Sequence, residues 1–237
     1  NISVIHNQGQ YIFFGDGTEM LITPIPDLAY VEQLAHIPLS HQPQASNILI
    51  ISGGAGGLIN ELLKHRTVTS IEYTELDPLL FELLEKFSTN LTDHELNDPR
   101  VSIKAMDGRH LLERSRKRFD LIMIGIEEPN DLQTNRFFTR DFFELAKERL
   151  SPDGLFLIGL PGSLSYLNDE LKDLNSCIYT SLEDVFSYIK VFPGEGNNLF
   201  LASESLDINS LKRAELLENL KRNEVAAALS MPQALNQ

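Results

Sequence analysis

Cysteine is almost absent from this chain of 237 residues, because Cys177 is the only one. A single cysteine excludes an internal disulfide and a zinc site built from thiolates, and it is typical of a reducing compartment. No histidine lies near Cys177 in the sequence, which favours a buried structural thiol over a nucleophile. The six histidines are scattered without a His-x-x-x-His pair, so the sequence predicts no metal site.

Basic residues are also scarce, since 20 Lys and Arg stand against 34 Asp and Glu and leave a formal net charge of -14. That charge disfavours nucleic acid and anionic lipid as partners. Ordinary solubility explains the charge, and the alternative explanation is an acidic site that attracts a cationic substrate.

Long apolar runs are missing as well. No segment approaches the roughly 20 apolar residues that span a bilayer, and the first residues lack the pattern of a signal peptide. We therefore expect a cytoplasmic chain whose own residues make no membrane contact. It begins at Asn1 without a methionine, which leaves open that it is a piece of a longer protein with a membrane tether elsewhere.

The sequence does contain a regular alternation of strand and helix patterns. From Asn47 onward, apolar runs of strand length alternate with helical segments, which is typical of a parallel sheet built from strand-helix-strand units. Gly15-Asp16-Gly17 predicts an N-terminal β-hairpin, and "YIKVFPGEGNNLFLAS" predicts an antiparallel pair at the C-terminal edge of the sheet. The predicted fold is a doubly wound, mostly parallel α/β domain over 27–203, with a small β-hairpin unit over 1–26 and a helical tail over 204–237.

Glycine is concentrated in one turn, "ISGGAGGL", directly after an apolar run. In a strand-turn-helix unit, glycine lets the backbone bend sharply and lets a ligand come into contact with it. Glu75 lies 18 residues after this turn and closes the next apolar run, where a carboxylate can accept hydrogen bonds from ribose hydroxyls. The pair predicts a nucleoside-type ligand. The residues predicted to contact it in the turn are Gly53, Gly54, Ala55, Gly56 and Gly57.

A second acid, Asp107, follows the third apolar run and is followed by Gly108. Asp107 could accept a hydrogen bond from the amino group of adenine, or it could cap the helix that begins there, and the spacing does not decide between these interpretations. The glycines read G-G-A-G-G rather than G-x-G-x-x-G, which favours a single nucleoside over a dinucleotide.

With these residues in view, the chain resembles the spermidine synthase (polyamine aminopropyltransferase) family. The resemblance extends from about Gln10 to Ser203 and is carried by "YVEQLAHIPL", "NILIISGGAGGL", "DPRVSIKAMDGRHLL", "RFDLIMIGIEEP" and "RFFTRDFFELAKERLSPDG". Two further segments, "GLPGSLSYLNDELKDLNSCIY" and "VFPGEGNNLFLAS", are similar to the soluble domain of bacterial spermidine-synthase-like proteins fused to transporter-like membrane segments.

The resemblance implies a methyltransferase-like Rossmann fold that transfers an aminopropyl group from decarboxylated AdoMet to a small amine. It implies that Glu75 holds the ribose and Asp107 the adenine, and that the four glycines of the turn line the methionine-derived part of the ligand. It places Tyr30 near the acceptor. It also implies a homodimer, and it leaves the ligand as decarboxylated AdoMet, AdoMet or methylthioadenosine.

Two positions depart from the family pattern. Members read GGDGG, with an acid that pairs with the donor's ammonium, where this chain has Ala55. They also carry an aspartate that takes a proton from the attacking amine, where this chain has Gly125. Glu127 and Glu128 follow closely and are the candidate replacements for that base. Three functions stay open: aminopropyl transfer by a divergent site, methyl transfer from AdoMet, and a non-catalytic sensor or regulatory domain of a membrane transporter-like protein.

Overall fold

The computed structural model describes residues 1–126, 128–129, 131–223 and 225. Seven strands form the larger of its two sheets: β4 (Asn47–Ile51), β5 (Ser70–Glu75), β6 (Val101–Ala105), β7 (Phe119–Ile124), β8 (Leu150–Gly162), β9 (Tyr188–Phe192) and β10 (Gly196–Ser203). The described helices are α1 (Leu28–His41), α2 (Leu58–Leu63), α3 (Pro78–Lys86), α4 (Asn90–Asn97), α5 (Gly108–Arg114), α6 (Leu132–Asn135), α7 (Arg140–Arg149), α8 (Asp169–Glu183) and α9 (Arg213–Arg222).

The N-terminal unit is an antiparallel sheet of three strands, β1 (Ile2–Asn7), β2 (Gln10–Gly15) and β3 (Thr18–Thr23). Between β2 and β3 the chain turns through Asp16 and Gly17, whose φ angles of 49° and 92° are typical of a tight hairpin. The predicted hairpin is therefore β2 and β3. The structure adds β1, which pairs with β2 and was not predicted from the sequence.

The larger sheet has the strand order β6-β5-β4-β7-β8-β10-β9. The pairs from β6 through β8 are parallel, whereas β10 pairs antiparallel with both β8 and β9. This arrangement confirms the predicted α/β class with an antiparallel C-terminal edge hairpin. The carboxyl ends of β4, β5, β6 and β7 lie side by side, which is where open α/β sheets bind their ligands.

Strand β4, which lies between β5 and β7, is buried on both faces, as expected for a parallel strand covered by helices. Ile48 and Ile50 pack into the core layer shared with α1, α2 and α3, while Leu49 and Ile51 pack into the layer shared with α5, α7 and α8. Because successive side chains of a strand point to opposite faces, four consecutive apolar residues serve both layers.

Two expectations concern the surface. In the described part of the chain, no helix is both long enough and apolar enough to cross a membrane.

Cys177 on α8 is exposed, so the expectation of a buried thiol is wrong. The buried face of α8 is formed by Ile178 and Leu182, and Cys177 lies one residue away from that face.

Candidate functional site

The glycine turn joins β4 to α2 and requires unusual backbone angles. The φ angles of Gly53, Gly56 and Gly57 are 68°, 89° and 121°, a region that side chains disfavour. Gly54 is required for a different reason, since a Cβ there would lie 2.7 Å from the ring of Tyr73. Tyr73 is fully buried beneath the turn, so the backbone of the turn rests on an aromatic ring.

Glu75 ties the end of β5 to this turn. Its Oε1 accepts hydrogen bonds from the backbone N–H of Gly53 at 2.9 Å and from the hydroxyl of Tyr73 at 2.6 Å. Burial raises the pKa of the Glu75 carboxyl, and these hydrogen bonds oppose that shift. Burial, together with the neighbouring Glu75, also raises the pKa of Tyr73 well above its usual value, so its hydroxyl keeps the proton that it donates.

A second buried carboxylate, Glu95 of α4, holds the other half of the turn. It accepts hydrogen bonds from the N–H groups of Gly57 at 2.7 Å, Gly56 at 2.9 Å and Asn60 at 3.1 Å. Desolvation raises the pKa of Glu95 to about 7, against the effect of these donors. No local sequence signal predicts this contact, because Glu95 follows Gly57 by 38 residues and lies in a polar segment.

The larger cavity at this edge has a volume of about 440 Å³ and lies between the N-terminal sheet, α1 and the glycine turn. Its lining includes the acids Glu19, Asp27 and Glu195, and no Lys, Arg or His among the described residues. Tyr30 also lines this cavity. The residues that the glycine turn contributes are Gly53, Ala55 and Gly56.

A smaller cavity of about 150 Å³ lies on the other side of the turn, and Ser52, Gly108 and Ile126 are part of its lining. Asp107 stands beside it and caps α5, because its side chain accepts the N–H of Arg109 at 2.9 Å. The same carboxylate pairs with Arg136 at 2.5 Å, and Arg136 lines the cavity. The cap interpretation of Asp107 is therefore correct, and an adenine contact stays a prediction.

The position of the expected base holds no side chain and has no room for one. A Cβ on Gly125 would overlap the carbonyl oxygen of Ser52 and would lie 3.0 Å from the Cα of Gly53. Of the two candidate replacements, Glu128 is half-buried and lines neither of the two cavities described here. Glu127 lies outside the described residues.

Five of the predicted residues line these two cavities. Gly53, Ala55, Gly56 and Tyr30 line the larger one, and Gly108 lines the smaller one. The predicted residues of the described chain that line neither cavity are Gly54, Gly57, Glu75, Asp107 and Glu128. The contacts that were not predicted come from side chains distant in sequence, namely Tyr73, Glu95 and Glu195.

Comparison with known proteins finds a matching domain family and several relatives by sequence. The Spermine/spermidine synthase domain matches residues 27–210. The polyamine aminopropyltransferase of Prochlorococcus marinus (strain AS9601) is 28% identical over 200 residues, which cover 83% of this chain and 70% of the relative. The spermine synthase of Saccharomyces cerevisiae is 28% identical over 195 residues, covering 78% and 64%. The polyamine aminopropyltransferase of Bacillus subtilis is 33% identical over 147 residues, covering 62% and 52%.

The chain therefore spans less than two thirds of the length of the yeast and Bacillus relatives. The names of these three relatives mention no membrane segment. The expected similarity to proteins fused to transporter-like membrane segments therefore stays a prediction.

Solved structures show the same relationship. A spermidine synthase in complex with the transition state analogue AdoDATO superposes with a TM-score of 0.77 at 25% identity, covering 99% of this chain and 84% of the other. Human methyltransferase-like protein 13 in complex with SAH superposes with a TM-score of 0.60 at 20% identity, covering 89% and 90%, and shows the fold alone. With a domain match over most of its length and this fold, the chain belongs to the spermine/spermidine synthase family.

Proposed function

We propose that this chain binds an AdoMet-type nucleoside across its two cavities and transfers an aminopropyl group from decarboxylated AdoMet to a small amine. The observation that carries the proposal is the position of the glycine turn, which contributes residues to both cavities at the carboxyl edge of the sheet. Membership of the family supports the same activity.

In the proposed complex, the adenine occupies the smaller cavity beside Gly108, and the side arm on sulfur extends into the larger one. Glu75 binds the ribose. An ionised carboxylate offers about four acceptor sites, so a ribose hydroxyl can be added to the donors that Glu75 already has, which are Gly53, Tyr73 and the side chain of Ser52. The larger cavity binds the acceptor, with Tyr30 in its wall.

The charge of the larger cavity supports an amine as the acceptor. Three carboxylic acids from three different parts of the fold line it, namely Glu19 in β3, Asp27 before α1 and Glu195 before β10. Acidic side chains grouped in a cavity attract a cation and raise its local concentration.

The proposed reaction is a displacement at carbon. The acceptor nitrogen forms a bond to the donor carbon attached to sulfur, the C–S bond breaks with its electrons going to sulfur, and the nitrogen loses a proton. The products are the extended amine, methylthioadenosine and that proton. A general base contributes about a hundredfold to ten-thousandfold in rate. Because Gly125 cannot supply it, the candidates for the base stay Glu127 and Glu128, although Glu128 lines neither cavity.

A nucleoside-binding domain without catalysis is the second candidate. It is favoured by the backbone contact at Gly125, which leaves no space for an acid at the expected position. Ala55 likewise carries no charge for the donor's ammonium. Methyl transfer is a third candidate because it requires neither acid.

One assay separates the three. The protein is incubated with decarboxylated AdoMet or AdoMet and a panel of diamines, and products are identified by mass while nucleoside binding is measured by calorimetry. We expect methylthioadenosine and an aminopropylated amine from decarboxylated AdoMet. Binding without any product would support the non-catalytic domain, and a methylated amine would support methyl transfer. No binding of any nucleoside would contradict all three.

Glu75→Gln tests the ribose contact within the same assay. We expect about 10-fold to 100-fold weaker nucleoside binding, because a hydrogen bond to a charged group is worth about 1.5–3 kcal/mol. Glu72→Gln is the matched control, since Glu72 is a buried glutamate of the same strand whose partners are Lys104 and Lys117. Equal effects of the two substitutions on binding would remove Glu75 from the site.

A further inference from the structure

Glu95 is fully buried and lines neither cavity, yet it is bonded to the backbone that does. Its hydrogen-bond partners in the described part of the chain are the N–H groups of Gly56, Gly57 and Asn60, rather than a cationic side chain. Because these donors are neutral groups, the carboxylate keeps its net negative charge when it is ionised.

The charge of Glu95 lies directly behind the wall of the larger cavity. Gly56 lines that cavity, and its own N–H donates to Oε2 of Glu95, so a single peptide group separates the carboxylate from the ligand space. The N–H groups at the start of α2 are the donors that an anionic ligand group would use in such a turn. Here they are turned inward and bonded to the chain's own carboxylate.

We propose that Glu95 is a positioning residue that selects the charge of the donor's side arm, an inference that rests on the proposed function. Its negative charge attracts a side arm that ends in an ammonium more strongly than one that also carries a carboxylate. Ala55 has no acid, so the negative charge that the family pattern places at that position is supplied from behind the turn by Glu95.

Three nucleosides test the proposal because they carry different charges on and beyond the sulfur. Decarboxylated AdoMet carries the sulfonium and an ammonium, AdoMet carries the same two groups and a carboxylate, and methylthioadenosine lacks the three-carbon arm and has a neutral sulfur. Their dissociation constants are measured by calorimetry at pH 8, above the pKa of about 7 of Glu95. For the unmodified protein we expect decarboxylated AdoMet to bind at least about tenfold more tightly than AdoMet. This measurement requires no variant.

Glu95→Gln then assigns the selectivity to this residue. We expect decarboxylated AdoMet to bind about tenfold more weakly and AdoMet no more weakly than before, while methylthioadenosine changes little. A parallel loss for all three ligands would indicate a merely structural role and overturn the inference. In the matched control, Glu72→Gln, the ratio of the two charged ligands should stay unchanged, and a change there would also overturn the inference.

The two hypotheses fail differently. If the unmodified protein binds decarboxylated AdoMet and AdoMet equally, only the role of Glu95 is overturned. If it binds none of the three nucleosides, the proposed function falls and the inference falls with it.

Discussion

At the scale of single residues, Gly125 brings the ends of β4 and β7 into backbone contact. Its N–H donates to the carbonyl of Ile51 at 3.0 Å, and its Cα faces the carbonyl of Ser52. The backbone therefore closes the space that an acidic side chain would need at this position. An aspartate at position 125 would have to move the glycine turn as well.

Gly125→Ala should destabilise the protein by about 3 kcal/mol, the upper part of the usual cost of overpacking. For a chain of this size that corresponds to a melting temperature about 6–12 °C lower. Gly159→Ala is the matched control in the neighbouring strand, because a Cβ there would meet its nearest atom, the Tyr30 hydroxyl oxygen, at 3.6 Å. Thermal melts of both variants give the result, and equal melting temperatures would show that the backbone contact can relax.

The residues of the glycine turn could be predicted from the sequence, whereas the buried side chains that contact the turn could not. Glycines clustered after an apolar run and Glu75 at the end of the next one are local signals, and the structure places them against each other. Tyr73 resembles any buried strand residue in the sequence. Glu95 is a charged residue in a polar helix, and only the packing of α4 against the turn makes it a hydrogen-bond acceptor.

At the scale of elements, α4 and β1 show why some of the fold could not be predicted. The buried residues of α4 are Thr92 and Glu95, so no apolar face marks this helix in the sequence. β1 is mostly exposed and lies at an edge of the N-terminal sheet, so its apolar residues alternate only weakly with polar ones. In contrast, residues 48–51 of β4 and 121–124 of β7 are continuous apolar runs, because helices cover both faces of the sheet at these strands.

The last described helix, α9, packs against α1, the helix whose first turn carries Tyr30. Leu216 and Leu220 are its buried residues, and the side chain of Asn219 donates to the carbonyl of Ser40 at 2.8 Å. α9 therefore stabilises the end of α1 that lies away from the cavity.

Leu220→Ala should lower the free energy of unfolding by about 3 kcal/mol, since a buried leucine is lost and a cavity is left behind. Glu218→Ala on the exposed side of the same helix should change it by less than about 0.5 kcal/mol. Unfolding in urea measures both variants. If the two variants were equally stable, α9 would not be part of the cooperatively folded unit.

At the scale of the whole molecule, buried groups with shifted pKa values make the stability depend on pH between 4.5 and 6. Burial lowers the pKa of His41 to about 4 and that of His65 to about 3, whereas it raises the pKa of Glu95 to about 7. In this window both histidines are protonated in the unfolded chain and neutral in the folded chain. The folded chain keeps one proton on Glu95 that the unfolded chain releases.

Across His41, His65 and Glu95 the unfolded chain binds about one proton more, and the raised pKa of Glu75 acts against this difference. We therefore expect acid to destabilise the protein, with the free energy of unfolding falling by up to about 1.4 kcal/mol for each pH unit from 6 down to 4.5. Removing the opposing proton with Glu95→Gln should roughly double this slope. Urea titrations at several pH values measure both slopes, and a stability that is flat or rises toward pH 4.5 would contradict the expectation.

The contact between Gly125 and Ser52 also limits how this site could be redesigned. A protein engineer who wished to add a proton acceptor could not place it on the strand end, where the two main chains already touch. The open wall is the opposite one, formed by α1 and the N-terminal sheet, which already carries Tyr30, Asp27 and Glu19. New chemistry in this scaffold would have to start from that side.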